Sequence, residues 1–238
     1  MNRSPVRVRW RQYPPALALL LVALYASAHD TWFESRGPRT AGDLFMALGT
    51  GSVFPAFDSA VGPEHLQRRG CREGGVSVVF SPVAQASASL LLKARVRRTA
   101  PASCWAQLVP SEIELQPGLV PIYLAEARPP ASVREAWSAM EARGLPWRER
   151  YTKHARIVFS GTLPDGAGAG NARPHDMGMD MVLVDGVGMI HETDIVSVQV
   201  LRDGRSLPDF AVELRHVAAG SAVSTGVWHR TDEKGRVH

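Results

Sequence analysis

Two places in this sequence carry residue types and spacings that suit metal chemistry. The first is His29, in Ala28-His-Asp-Thr-Trp-Phe33. If export removes everything up to Ala28, His29 carries a free α-amine beside its imidazole, and the amine nitrogen and Nδ1 can chelate one ion. An α-amine has an ordinary pKa of about 7.7–8.0, so a metal can displace its proton near neutral pH and binding should tighten as pH rises. Amine and imidazole suit copper, nickel or zinc better than magnesium or calcium. The plainer reading is that His29 merely follows a leader and that Trp32-Phe33 starts the first strand.

The second place is His175-Asp-Met-Gly-Met-Asp-Met181. Here His175 and Met177, with the later methionines, offer imidazole and thioether ligands of the kind copper(I) accepts. Met177, Met179 and Met181 also recur with period two, which fits the inward face of a strand with methionine as filler. That core reading leads, and copper follows it.

The remaining chemistry is sparse. His65, His154, His191, His216 and His229 lack HxH or HExxH spacing, so each reads as a surface or internally satisfied histidine. No G-x-S-x-G marks a serine nucleophile. The glycine-rich stretch after Ser160 lacks the Lys-Ser/Thr of a phosphate loop. No paired-carboxylate motif points to a glycosidase. The sequence predicts no enzyme.

The exposed amine of His29 depends on the first 28 residues. They hold Arg3, Arg7, Arg9 and Arg11, an apolar run from Ala16 to Tyr25, and then Ala26-Ser-Ala28. The run is about half the ~20 residues a spanning helix needs. Small residues at 26 and 28 are what a signal peptidase accepts, so residues 1–28 are expected to be a signal peptide cleaved before His29. Membrane contact is expected only through this leader, if it stays uncleaved. Without an adjacent arginine pair, general secretion to the periplasm is the expected route.

The same arginines answer the chain's basic pI of about 9.4. With no acid before Asp30, they account for the whole net charge of +4, and the rest of the chain balances. A balanced surface has no footprint for a phosphate backbone, so no nucleic-acid partner is expected. In an oxidising compartment Cys71 and Cys104 read first as a disulfide, and second as two unrelated buried thiols. Closing that loop would stabilise the fold by roughly 3–4 kcal/mol on a chain-entropy account.

The elements that must hold these residues are mostly strands. Short β-type runs occur at 44–48, 76–80, 89–96, 112–115, 121–125, 155–159, 179–184, 195–201 and 210–216, separated by Gly and Pro. Asp203-Gly204 between the last two runs is a hairpin signal. One helix is expected over 133–143. Ser132 and Glu135 form its capping box, Val133, Trp137 and Met140 its apolar face, and Gly144 its left-handed stop before Pro146. The segment Trp147-Arg-Glu-Arg-Tyr-Thr-Lys-His154 reads as a charged approach to the next strand. These features predict an all-β fold of two sandwich-like units: 29–160, a Gly-rich linker at 161–176, and a smaller unit at 177–238.

The ordered motifs also resemble a known family. Ala28-His-Asp-Thr-Trp-Phe33 resembles the mature start of secreted bacterial proteins of the domain-of-unknown-function family 4198. Gln116-Pro-Gly-Leu, Trp137…Met140-Glu-Ala-Arg-Gly-Leu145 and Arg148-Glu-Arg-Tyr-Thr-Lys-His-Ala155 are similar to its helix and following segment. Val198-Gln-Val-Leu-Arg-Asp-Gly-Arg-Ser-Leu-Pro208 and Thr231-Asp-Glu-Lys-Gly-Arg-Val237 resemble its C-terminal unit. The resemblance implies an immunoglobulin-like or transthyretin-like C-terminal unit, nickel or cobalt as the metal, and an inner-membrane metal transporter as partner. Ligand chemistry keeps copper beside them. It also implies a strand beyond the Asp232…Gly235 turn, which the sequence reading finds absent, so the last unit is expected to be incomplete by truncation or completed by a partner strand. The competing class is an envelope interaction or adhesion-like module without metal.

Overall fold

The computed structural model describes residues 29–37, 42–96, 101–161, 174–186, 194–217 and 225–238. The expected leader, residues 162–173 of the expected linker, and His191 lie outside the described residues.

The first unit contains β1 (Asp30–Ser35), β2 (Leu44–Gly51), β3 (Ser59–Ala60), β4 (Leu66–Glu73), β5 (Val76–Val78), β6 (Phe80–Gln85), β7 (Leu90–Ala94), β8 (Ala102–Leu108) and β9 (Ser111–Leu115). It continues through α1 (Val120–Ala127), α2 (Ala131–Glu141), β10 (Trp147–Tyr151) and β11 (His154–Phe159). The second unit contains β12 (Met179–Leu183), β13 (Val198–Arg202), β14 (Arg205–Ser206), β15 (Ala211–His216), β16 (Thr225–Arg230) and β17 (Arg236–Val237). All pairings are antiparallel, and the architecture is the expected all-β, sandwich-like one.

One sheet runs β1-β2-β7-β6, with β3 beside β2; the other runs β11-β8-β4-β5. Their facing sides close over one core that includes Phe33, Met46, Leu48 and Leu92 from the first and Leu66, Cys71, Cys104 and Ala106 from the second. Strand β7 shows the cause: Leu90, Leu92 and Ala94 recur at period two and are buried, while Leu91 and Lys93 between them are only partly so. Cys71 and Cys104 stand directly opposite each other where β4 pairs with β8, and they form a disulfide with both residues fully buried. The first of the two cysteine expectations therefore holds.

The β9–β10 pair and the two helices form a small layer of their own, in which Val120, Leu124 and Trp137 are buried against Leu115, Tyr123, Met140 and Trp147. Two expectations are corrected here. Residues 121–125 are helical: Pro121 sits in the first turn of α1, where its fixed φ and missing N–H do no harm, and Val120 and Leu124 meet at i, i+4. The second helix starts two residues earlier than expected, after Pro130, so Ser132 lies inside the first turn and makes no cap hydrogen bond. Its stop is as expected, with Gly144 at φ +69°.

In the second unit β12 pairs with β13, and β14 and β17 share the other edge of β13. Asp203 and Gly204 both take positive φ and turn the chain, but the return strand is only Arg205–Ser206; Ala211–His216 pairs with Thr225–Arg230 instead. The turn at Asp232 also differs from expectation. The Asp232 side chain accepts from the N–H groups of Lys234 and Arg236, and Arg236–Val237 then adds a short strand to β13. The face of β12 is a further correction: Asp180 and Val182 are buried, while Met181 is exposed and Met179 half-buried. Among the described residues no helix is long and apolar enough to cross a membrane.

Candidate functional site

Strand β1 runs beside β11, which brings the start of the first sheet against the edge of the second and leaves two adjoining clefts. Asp30 and Lys153 line both. Burial pushes the Asp30 carboxyl up and the Lys153 ammonium down, and their mutual attraction restores only part of each charge preference.

The first cleft, about 560 Å³, lies between His29 and Thr50 on one side and Tyr123, Glu149 and Tyr151 on the other. The β9–β10 pairing explains its polar wall. Along β10, Trp147, Glu149 and Tyr151 are half-buried, while Arg148 and Arg150 face solvent. Glu149 is held by the Tyr123 hydroxyl at 2.8 Å and the Trp147 indole N–H at 3.2 Å. His29 stands at the rim with its side chain 44% exposed, and its Nε2 lies 3.8 Å from Asp58 Oδ2. Two hydrogen bonds from Ser52, one from the hydroxyl and one from the backbone N–H, hold the Asp58 carboxyl below its ordinary range. The ring nitrogen turned toward that carboxylate is thus Nε2, and chelation through Nδ1 and the α-amine would leave the contact in place.

The second cleft, a groove of about 500 Å³, lies between β11 and β12. Its wall includes His154 together with Met177, Met179 and Met181. His154 Nε2 is buried without a hydrogen-bond partner. The ring's hydrogen bond to the Thr152 backbone therefore belongs to Nδ1, which places the proton there and the lone pair on Nε2. Burial lowers the pKa of this imidazole. Nε2 abuts Gly178: a Cβ added there would sit 3.5 Å from it, and 3.8 Å from Asp203 Oδ1. Gly178 is itself fixed, donating to Gln107 Oε1 at 3.0 Å and accepting from the Asp203 N–H at 2.9 Å.

His175 goes elsewhere. Its ring is buried in the seam between the units, stacked on Trp105 with centroids 3.7 Å apart and 11° between planes. Nε2 lies 3.0 Å from Ser103 Oγ, and Nδ1 is buried without a hydrogen-bond partner. Ser103 accepts from Arg156 Nε at 3.0 Å, and the Arg156 guanidinium meets both oxygens of Asp180 at 3.1 Å. Asp180 Oδ2 accepts in turn from the His175 N–H at 2.7 Å. This network ties β8 and β11 to β12.

Burial, reinforced by the charges of Arg156 and Arg72, lowers the His175 pKa to about 3. In the unfolded chain the imidazole takes a proton below about 6.5. A depressed folded pKa means that the stabilisation is complete above that value and is lost as pH falls from there toward 3. His175→Phe keeps a ring over Trp105 and removes the titration. The difference in urea unfolding free energy between wild type and H175F should therefore change with pH across this window, by at most ~1.4 kcal/mol per pH unit. A difference that stays flat from pH 7 to 4 would show that His175 titrates alike in both states.

The three ligands expected from sequence thus fall in three places: His29 on the first cleft, Met177 in the groove, and His175 in the sealed seam. Among the described residues no three His, Cys, Asp or Glu side chains form a group able to hold a metal. Sequence reasoning read His154 as a surface or internally satisfied histidine, whereas its Nε2 is buried without a hydrogen-bond partner, and it passed over Lys153 and Glu149. The available signal was the period-two alternation of Glu149, Tyr151 and Lys153, which was read only as a run of charge. Comparisons with family models, with curated proteins and with solved structures return no match for this chain.

Proposed function

We propose that the exported protein binds a transition-metal ion, nickel, cobalt or copper, at an amino terminus that begins with His29, and serves as an accessory to metal transport in the periplasm. The observation that carries this reading is the position of His29, half-exposed at the rim of a cleft with Nε2 turned toward Asp58. A carboxylate behind the distal nitrogen of a metal-bound imidazole orients the ring and raises its basicity. The cystine is compatible with an oxidising compartment. An inner-membrane metal transporter is the partner this role implies.

Intact mass of the native product tests the premise, since it reports whether the chain starts at His29. Nickel(II) titration then tests the site. One alanine added ahead of His29 moves the amine away from the ring and should weaken binding by about tenfold or more, and D58N should weaken it by about tenfold. Equal affinity with and without the added alanine removes His29 as a ligand.

The alternative, an envelope interaction module without metal, is favoured by one observation. Leu214 and Val227 stand opposite each other on the β15–β16 hairpin and are 61% and 59% exposed. Metal content after native purification separates the two: a metal-free native product with no nickel affinity leaves the interaction module standing.

A further inference from the structure

We propose a second metal site, for a soft monovalent ion such as copper(I), in the groove between β11 and β12, with His154 Nε2 and the thioethers of Met177 and Met179 as ligands. It is separate from the amino-terminal site and does not depend on leader cleavage.

Three observations converge on it. The first is an orphaned lone pair. His154 Nε2 is buried, has no hydrogen-bond partner, and belongs to a ring whose proton is committed to the Thr152 carbonyl. A buried nitrogen left unpaired is costly unless something fills the place, and a neutral imidazole oriented through Nδ1–H is the form that ligates metal. The second is what this nitrogen abuts: Gly178, the residue between Met177 and Met179. With no side chain at 178, nothing from that residue stands between the ring and its two neighbours. The third is that the segment is fixed in advance. The Met177 N–H donates to the His175 carbonyl at 2.8 Å, and Gly178 is bonded at both its N–H and its carbonyl.

The charges choose the ion. Arg156 and Lys153 line this groove together with Asp30 and Asp180, so its formal charges balance and nothing in them draws a divalent ion. Asp180 pairs with Arg156, and Asp30 attracts Lys153, whose pKa burial lowers. The donors around Gly178 that are not carboxylates are thioether sulfurs and one imidazole nitrogen, a set that favours copper(I) over nickel or cobalt. The methionines are graded from inside to outside: Met177 is 6% exposed, Met179 half-buried and Met181 41% exposed. Met181 at the mouth can pass an ion inward to Met179 and Met177.

Silver(I), which needs no reductant and takes the same donors, is the probe, titrated in chloride-free buffer into the chain carrying one alanine ahead of His29. One equivalent should bind. M177L/M179L should lower the affinity at least a hundredfold and H154Q at least tenfold. Leucine conserves volume at both positions, so thermal unfolding of the metal-free double variant should match wild type closely. Silver should also move the ¹⁵N resonance of His154 Nε2. Competition with a copper(I) chelator should repeat the order of the variants. Undiminished silver affinity in M177L/M179L, or a His154 Nε2 resonance that silver leaves in place, overturns this proposal. If the alanine-bearing chain binds no silver while the chain that starts at His29 does, this site falls and the His29 reading stands. If the alanine abolishes only nickel binding, both stand.

Discussion

Asp180→Ala is expected to destabilise the protein by about 3–5 kcal/mol in urea unfolding, the cost of removing the counter-charge from a buried ion pair. The side chains of Arg156 and Asp180 are only 7% and 2% exposed. Asp180 accepts both hydrogen bonds from the guanidinium, and it also accepts from the backbone N–H groups of His175 and Met181. Alanine therefore takes the carboxylate from the guanidinium, which keeps its bond to Ser103, and leaves two backbone donors without this acceptor in the seam where the second unit meets the first. The pair as a whole is worth much less than that penalty, because both charges were taken out of water to form it. R156M/D180L should consequently recover most of the loss, and a double-mutant cycle separates the terms. A loss below 1 kcal/mol for D180A would mean that water reaches the seam and screens the charge.

Removing the cystine should have an effect of similar size. C71A/C104A is expected to lose roughly 3–4 kcal/mol, because the bridge closes a long loop in the unfolded chain. The two cysteines face each other in mid-sheet between β4 and β8, and both are fully buried in the main core. Reductant should thus have little effect on the native protein and act only where urea first opens the sandwich. The check is the urea midpoint of the double variant beside that of wild type under oxidising conditions. A shift worth less than 1 kcal/mol would mean that the sheet pairing alone restricts the unfolded chain.

Much of the framework follows from local pattern. A β-type run marks β7, and the opposed cysteines need only two thiols and an oxidising compartment. Gly144 ends its helix because its left-handed φ suits a residue without a Cβ. Local pattern also misleads in definable ways. The apolar run at 121–125 has neither a clean period of two nor one of 3.6, and the proline in the first turn together with the Val120–Leu124 contact decided for helix. The methionine alternation identified a strand and mistook its inner face, because a buried aspartate outranks methionine when an arginine waits across the seam.

By itself, then, the sequence determined the all-β framework, its covalent staple and the two short stretches whose residue types suit metal chemistry. Each of these depends on neighbours along the chain, or on a pair that any compact sandwich can join. Only the tertiary structure decided which histidine meets the methionines. His175, two residues from Met177, is drawn onto Trp105 and Ser103, while His154 arrives from the next strand with its nitrogen against Gly178. That exchange is set by how β11 lies against β12 across residues far apart in sequence, a relation that no local periodicity encodes.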